Sequence, residues 1–266
     1  MSERADDSVS WSKTLLAADE RSPAIVRNPG ASSPFLLLGD HAGRDIPRAL
    51  GDLGLHAREW DRHIAWDIGV AGLGEILSQM LGATFIRQRY SRLVIDCNRE
   101  PGRSDAIPEI SDGAHIRGNA GLTPDRRRMR FDDIAAPYHA RIAEELDTRA
   151  ARGLPTTLVS LHSFTPQMNA FARPWRFGVL HAEDSAFSHA MLARLRAEVG
   201  ADFVGDNQPY RMDEVDFTIP HHCRPRGLDY LELETRQDLV ADAAGRRDVA
   251  GRLARLLPDA LADLRR

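Results

Sequence analysis

The chain alternates short apolar runs, most of which end in polar residues, with longer segments of helical periodicity. Continuous apolar runs of four to eight residues are typical of strands buried on both faces. The predicted strands are residues 35–38, 84–86, 93–97, 158–161, 177–180 and 228–234. The predicted helices are residues 61–81, 125–151, 185–199 and 249–264. Strands that alternate with helices favour an α/β sandwich around a mixed, largely parallel sheet.

Two segments fall outside this alternation. Residues 1–33 are polar and interrupted by Pro23, Pro29 and Gly30, so we expect an N-terminal arm that lies on the body of the protein. Residues 34–266 are then expected to form one α/β domain, a common size for this class. Residues 100–124 are rich in Pro, Gly, Ser and Asp and are longer than an ordinary connection. We expect this long loop to cover a site.

Composition excludes several classes of protein. A net charge of −4 and a pI near 6.2 disfavour nucleic-acid binding, which depends on an excess of Lys and Arg. Two cysteines are too few for a disulfide framework and suit a reducing compartment. No secretory signal is apparent, and no apolar run reaches the ~18 residues of a membrane helix. The sequence predicts a cytoplasmic protein that binds a small molecule, with neither nucleic acid nor membrane as partner; its oligomeric state stays open.

Polar side chains follow four of the predicted strands. In open α/β sheets, ligands bind in the crevice at the carboxyl ends of the strands, where these residues would meet. The set contains imidazoles, carboxylates and guanidiniums, which suit a divalent metal, a general base and an anion clamp. Its members are Asp40 and His41, then Asp96, Asn98 and Arg99, then His162 and Ser163, and finally Glu234 and Arg236.

Each of these residues also has a structural interpretation. A single histidine at a strand end is often only hydrogen-bonded, and the sequence holds no HExxH or paired CxxC motif. His63 and Asp67 lie four apart in a predicted helix, which allows a ligand pair or a simple hydrogen bond. Glu232, Glu234 and Arg236 share one strand face, so a carboxylate there is either a general base or part of a buried salt bridge.

Five segments in order closely resemble the N-formylglutamate amidohydrolase family, and the resemblance spans about residues 20–260. They are residues 39–47 (GDHAGRDIP), 63–69 (HIAWDIG), 91–99 (SRLVIDCNR), 161–166 (LHSFTP) and 234–239 (ETRQDL). Shorter matches occur at residues 118–119 (GN), 137–139 (PYH), 173–175 (RPW) and 205–210 (GDNQPY). The resemblance implies a three-layer α/β/α fold distantly related to the zinc carboxypeptidases. It also implies a metal-dependent amidohydrolase that removes formate from N-formyl-L-glutamate.

The resemblance also assigns roles to individual residues. His41 and His162 would be ligands of Zn²⁺ or another divalent metal, and Glu234 would be the general base. Asn98 and Arg99 match a pair that binds a substrate carboxylate. Because glutamate has two carboxylates, further arginines are expected to take part; we name Arg236 and Arg92 first and hold Arg44 and Arg173 in reserve.

One departure concerns the third metal ligand. The carboxypeptidase pattern has a glutamate three residues after the first histidine, whereas Arg44 stands there and a guanidinium does not ligate zinc. We favour Asp67 over Asp45 as the third ligand, because Asp67 lies in a segment that matches the family. Two alternatives stay open: a deacylase of another N-acyl amino acid or small amide, and a non-catalytic anion-binding protein that has lost the metal site.

Overall fold

The computed structural model describes residues 14–182, 185–212 and 215–264, and its centre is a seven-stranded sheet. The strands of the described chain are β1 (Ala24–Arg27), β2 (Phe35–Gly39), β3 (Thr84–Gln88), β4 (Ile110–Ser111), β5 (Ala114–His115), β6 (Thr157–Phe164), β7 (Gln167–Met168), β8 (Phe171–Ala172), β9 (Phe177–Leu180), β10 (Val204–Asp206) and β11 (Asp229–Arg236). The sheet has the order β1-β3-β2-β6-β11-β9-β10, and two small hairpins, β4-β5 and β7-β8, lie outside it.

Most neighbouring strands of this sheet run parallel. The pairs β3-β2, β2-β6, β6-β11 and β9-β10 are parallel, whereas β1-β3 and β11-β9 are antiparallel. This arrangement confirms the predicted mixed, largely parallel sheet. It also brings the carboxyl ends of β2, β6 and β11 to the same edge, since these three strands are parallel neighbours.

Helices cover both faces of the sheet. They are α1 (Val70–Leu81), α2 (Pro124–Arg130), α3 (Ala136–Ala151), α4 (Ala186–Val199), α5 (Thr218–Cys223) and α6 (Ala243–Asp263), with a π-helical turn over Phe131–Ala135 between α2 and α3. No helix within the described ranges has both the length and the apolar character needed to cross a bilayer.

Alternate residues of the strands face the two helical layers. Leu36 and Leu38 of β2 belong to a core with Ile142 of α3. Phe35 and Leu37 point the other way, into a second core shared with Leu73 of α1 and with side chains from α4 and α6. The chain is therefore the expected three-layer α/β/α sandwich.

Residues 93–97 were predicted as a strand and instead form a buried turn; this prediction was wrong. The backbone groups of this segment form hydrogen bonds with groups outside the sheet, so they do not require pairing with a neighbouring strand. Asn119 Nδ2 donates to the carbonyl of Leu93 over 2.9 Å, and Arg130 Nη1 donates to that of Val94 over 2.9 Å. The amide of Asp96 donates to the carbonyl of Ala106 over 2.7 Å.

The first helix begins nine residues later than the sequence predicts. Gly69 precedes it with φ of 87°, and a Cβ there would lie 2.4 Å from the carbonyl oxygen of Val240. Such a left-handed residue in a close contact breaks the helical periodicity, so α1 starts at Val70. His63 and Asp67 therefore lie in the loop before α1 and do not share a helix face.

The segment predicted as an N-terminal arm contributes a strand to the main sheet. β1 pairs antiparallel with β3, with Ala24 opposite Gln88 and Arg27 opposite Phe85. The four residues of β1 are at most half-buried, which explains why no continuous apolar run marks this edge strand.

Helix α1 packs on β3 through a glycine, which gives a testable prediction for stability. A Cβ on Gly74 would lie 2.3 Å from the ring of Phe85, whereas a Cβ on Gly251 of α6 would have no neighbour within 4 Å. We expect Gly74→Ala to lower the free energy of unfolding by about 1–3 kcal/mol through overpacking. Gly251→Ala, the matched control, should raise it by about 0.5–1 kcal/mol through helix propensity. Urea titration of both variants tests this, and equal shifts would contradict the close packing.

Candidate active site

Three buried side chains meet at the carboxyl edge of the central strands. His41 follows β2, His162 lies on β6, and Asp67 lies in the loop before α1. The Oδ2 atom of Asp67 is 3.6 Å from His41 Nδ1 and 3.1 Å from His162 Nδ1. One donor atom from each residue lies within 4.8 Å of the other two, as a shared metal ion would require.

The backbone fixes the position of Asp67 in this cluster. Its amide donates to the carbonyl of His41 over 2.8 Å, which ties the loop before α1 to the end of β2. Its Oδ2 atom also accepts from the amide of Ser163 over 3.1 Å. Asp67 therefore reaches the two histidines from a loop, without the helical spacing that the sequence suggested.

The orientation of the His41 imidazole is set by Asp96. His41 Nε2 lies 2.7 Å from Asp96 Oδ1, and a carboxylate can only accept, so Nε2 carries the proton. The other ring nitrogen, Nδ1, is buried and has no hydrogen-bond partner among the described residues. A buried nitrogen without a partner is costly. The nearest carboxylate oxygen of the described residues, Oδ2 of Asp67, is 3.6 Å away.

A chain of hydrogen bonds orients His162 in the same way. His162 Nε2 lies 3.0 Å from the hydroxyl of Ser160, which itself donates to Asp40 Oδ2 over 3.4 Å. The hydroxyl of Tyr138 donates to the other oxygen of Asp40 over 2.7 Å. These bonds leave His162 Nδ1 directed at Asp67. Outer hydrogen bonds of this kind fix the tautomer and orientation of metal-binding histidines.

The charges around the cluster favour a cation. Burial lowers the pKa of His162, but its hydrogen bond to Asp67 and the nearby Glu232 carboxyl raise it to about 10. Burial and Arg92 likewise oppose protonation of His41, yet Asp96 and Asp67 raise its pKa overall. Burial would raise the pKa of Asp67, but the two imidazoles hold it far below its ordinary value. The protein around the two imidazoles therefore stabilises positive charge.

The donor set fits a divalent metal. Two imidazole nitrogens and one carboxylate oxygen are the ligands of known catalytic zinc sites, which keep a further position for water or substrate. The unpartnered Nδ1 of His41 is the observation that decides the fit, because a cation beside it would satisfy an otherwise orphaned buried atom. The described residues thus include a buried His-Asp-His group able to hold such a metal.

A cavity of about 410 Å³ opens at this cluster. Glu234 lines it from β11, and its Oε2 atom is buried without a hydrogen-bond partner in the described structure. Burial raises the pKa of Glu234 to about 7, against the opposing charge of His162. Glu232, two residues earlier, also lines the cavity, and burial raises its pKa well above the ordinary value. Burial thus biases both carboxyls of this strand toward the neutral form.

The residues predicted to bind a substrate carboxylate differ in their availability. Arg92, Asn98 and Arg99 all line the cavity. Arg92 is held by Asp96 over 2.6 Å and by Asp67 over 3.4 Å. The amide oxygen of Asn98 accepts two backbone N–H groups at the start of α5, so this side chain mainly orders the cavity wall.

Arg99 has looser ion pairs than Arg92. Its guanidinium lies 3.6 Å from Asp216 and 3.7 Å from Asp105, and Nη1 donates to the carbonyl of Asn98 over 2.9 Å. Neither carboxylate makes a short contact, so Arg99 keeps donors that a substrate carboxylate could use.

Arg236 does not line the cavity. Its guanidinium binds both oxygens of Asp238 over 2.8 and 3.1 Å, because the chain turns into a 3₁₀ helix directly after β11. Arg236 is the last residue of β11, and its ion pair with Asp238 in the following 3₁₀ helix directs the guanidinium away from the site. Arg44 and Asp45 also lie outside the cavity lining: Arg44 pairs with Asp61 over 3.0 Å, and Asp45 lies 3.7 Å from Arg89.

The long loop at 100–124 contributes one wall of the cavity. Asp105, Pro108, Ser111 and Asp112 from this loop line it, and Asp112 also lies 3.5 Å from His63, another lining residue. The expectation that this polar segment covers a site agrees with its position.

The sequence analysis missed several residues around the site. Ser160 precedes His162 by two positions, so strand periodicity could have placed it on the same face. Tyr138 lies in a short segment that matched the family, but it reaches Asp40 across 98 positions of sequence, and no strand or helix periodicity relates these two residues. Tyr210 lies in a short segment that matched the family, yet nothing in that segment indicated that it lines the cavity.

Comparisons with known proteins identify the family and the fold of this chain. A model of the N-formylglutamate amidohydrolase family matches residues 33–241. Gene product Atu2144 from Agrobacterium tumefaciens has a solved structure that is 36% identical, with a TM-score of 0.90, over 95% of this chain and 100% of that one. N-formylglutamate amidohydrolase from Ralstonia eutropha JMP134 is 20% identical, with a TM-score of 0.68, over 92% of this chain and 99% of that one.

A search of curated proteins returned no significant match. The family model nevertheless covers more than half of the chain and includes the whole His-Asp-His cluster and Glu234. The chain therefore belongs to the N-formylglutamate amidohydrolase family, hydrolases that act on C–N amide bonds.

Proposed function

We propose that this protein is a metal-dependent amidohydrolase that cleaves N-formyl-L-glutamate to formate and L-glutamate. One observation carries the proposal: a single cavity holds the unpartnered Nδ1 of His41, the ligand set it shares with Asp67 and His162, and the free carboxyl oxygen of Glu234. That combination supplies a cation site and a proton acceptor side by side. The family match supplies the substrate.

In this proposal His41, Asp67 and His162 hold a divalent metal, with zinc the best match to two imidazoles and a carboxylate. When bound, the metal supplies Lewis-acid polarisation of the formyl oxygen and makes water more acidic. Asp96 and the Ser160–Asp40 pair keep the two imidazoles in the orientation that presents Nδ1.

Glu234 performs the proton transfers. Its unpartnered Oε2 accepts a proton from the water that attacks the formyl carbon, and the same group then delivers that proton to the leaving amine nitrogen as the C–N bond breaks. A pKa near 7 serves both steps, because the group accepts and returns a proton at similar cost near neutral pH.

Cations are needed to bind an anionic substrate here. Among the described residues, seven acidic side chains and only three arginines line the cavity, so the bare cavity disfavours a dianion. A divalent metal at His41, Asp67 and His162 offsets part of this negative charge. Arg99, assisted by Arg92 and by the wall that Asn98 orders, then binds a substrate carboxylate and fixes the amide near the metal site.

The hydrogen bond from His41 to Asp96 gives a prediction for metal affinity. Asp96→Asn weakens the partner that orients His41, and we expect the affinity for zinc to fall by about 10- to 100-fold. Asp61→Asn is a matched control, because Asp61 pairs with the exposed Arg44 away from the cavity. Competition titration with a zinc chelator measures both. Equal affinities for Asp96→Asn and wild type would remove Asp96 from this role.

The proposed reaction is tested by formate release. We expect the zinc-loaded protein to release formate from N-formyl-L-glutamate and to do so faster than it releases acetate from N-acetyl-L-glutamate. Preference for the acetyl compound would assign a different acyl group. Failure to cleave any N-acyl amino acid would contradict the proposed function.

A further inference from the structure

Arg173 is a buried arginine whose partners in the described structure are all neutral. Only 8% of the residue is exposed, and no carboxylate of a described residue lies within ion-pair distance of its guanidinium. The group stacks between two aromatic rings, with Cζ 5.0 Å from the Tyr210 ring centroid and 5.7 Å from that of Phe164. The positive charge is therefore ordered by packing and has no counter-ion among the residues that the structure describes.

The hydrogen bonds of Arg173 leave donor capacity. Nη1 donates to the carbonyl and hydroxyl of Thr165 over 3.3 and 3.2 Å, and both Nη atoms lie 3.3 Å from the hydroxyl of Tyr210. The remaining acceptor of Nη2 is the sulfur of Met168 at 3.1 Å, which is a weak acceptor. A guanidinium fork prefers a carboxylate to such partners, because charge-assisted bidentate bonds are about twice as strong.

Other buried arginines do not share this feature. Arg92 faces Asp96 and Asp67. Arg130 is satisfied by the carbonyls of Val94 and Gly118 together with Asn119, and Arg149 by several backbone carbonyls. Arg173 is thus distinguished by its weak set of acceptors.

Arg173 does not itself line the active-site cavity but lies directly behind its wall, in contact with residues that do. Thr165, Met168 and Tyr210 all line that cavity. Burial and the charge of Glu234 raise the pKa of the Tyr210 hydroxyl, while Arg173 and Arg92 oppose the shift, so this hydroxyl lies within electrostatic reach of both the proposed base and Arg173.

We propose that Arg173, with the hydroxyl of Tyr210, binds the side-chain carboxylate of the substrate and selects N-acyl amino acids with an acidic side chain. This inference rests on the proposed function, in which Arg99 binds the other carboxylate. The substrate oxygen atoms replace Met168 sulfur as acceptor and supply a counter-ion that none of the described residues provides. Arg173 is then the residue that separates glutamate from uncharged side chains of the same shape.

The test compares Arg173→Met with wild type on N-formyl-L-glutamate and on its neutral isostere N-formyl-L-glutamine. We expect wild type to prefer the glutamate compound. The variant should raise KM for that compound by about 10- to 100-fold and leave KM for the glutamine compound nearly unchanged. Arg173→Lys keeps the positive charge but not the two parallel donors of a guanidinium, so its KM for N-formyl-L-glutamate should lie between those of wild type and Arg173→Met. Arg44→Met is the matched control, since Arg44 also stacks on an aromatic ring, that of Trp66, but neither Trp66 nor Asp61, the ion-pair partner of Arg44, lines the cavity.

Two outcomes overturn the inference: no preference by wild type, or an equal loss on both substrates, which would mark Arg173 as structural. Calorimetry of L-glutamate and L-glutamine binding to the zinc-loaded protein distinguishes failure of this inference from failure of the proposed reaction. If no amide is cleaved, the proposed function fails, yet selective glutamate binding lost in Arg173→Met would still support the role of Arg173. Equal binding of the two amino acids would contradict it.

Discussion

Replacing Glu234 by glutamine is expected to reduce kcat for formate release by about 10²- to 10⁴-fold, the usual contribution of general acid–base catalysis. The amide has the shape of the carboxyl group but cannot take a proton from water. Because Glu234 is not among the proposed ligands, the zinc content of the variant should stay equal to that of wild type. Single-turnover formate release and elemental analysis on the same sample measure the two quantities.

Glu232→Gln is the matched control for this experiment. Glu232 lies on the same face of β11 and also lines the cavity, and burial raises its pKa well above the ordinary value. Glu232 is not the proposed proton acceptor, so we expect most of the activity to remain in its glutamine variant. Equal losses in the two variants would attribute the effect to disturbance of the strand and would contradict a proton-transfer role for Glu234.

The second large effect is expected for His162→Ala. Removing one of three protein ligands should lower zinc affinity more than the loss of an outer hydrogen bond, which costs about 10- to 100-fold. Formate release should fall with the bound metal. Competition titration and elemental analysis after gel filtration measure the loss, and circular dichroism checks that the sheet is intact.

His181→Ala provides the comparison for His162→Ala. His181 also follows an apolar strand and is also buried, but it hydrogen-bonds Asp206 over 2.8 Å and does not line the cavity. Zinc affinity should be unchanged in this variant. Undiminished zinc in His162→Ala, or an equal loss in His181→Ala, would contradict the assignment of His162 as a ligand.

The general architecture could be predicted from the sequence because continuous apolar runs indicate buried strands, and such strands pair in parallel in α/β proteins. Buried strands such as β2 and β6 read as continuous apolar runs, and their parallel pairing places the residues after them at one edge. His41 and His162 were found in this way. The apolar run at residues 93–97 has the same composition, but its carbonyl groups accept hydrogen bonds from Asn119 and Arg130. These two partners are distant in sequence, so no local pattern predicts them.

The environment of the site was harder to predict than its members. Asp67 was selected through a family match, but the helix predicted to contain it begins only after Gly69. Arg236 does not line the cavity because its guanidinium binds Asp238 in the following 3₁₀ helix, a contact that strand periodicity does not indicate. The partners of the two histidines, such as Asp96 and Ser160, and the neutral surroundings of Arg173 depend on contacts made only in the folded chain.

The central claim is that the His41–Asp67–His162 cluster holds a metal on which amide hydrolysis depends. The most direct measurement is the zinc content of purified protein together with formate release from N-formyl-L-glutamate, before chelation, after chelation and after zinc is restored. We expect about one zinc per chain, loss of release with the chelator and recovery with zinc. Release that persists in metal-free protein, or a protein that binds no divalent metal under any loading condition, would contradict the claim.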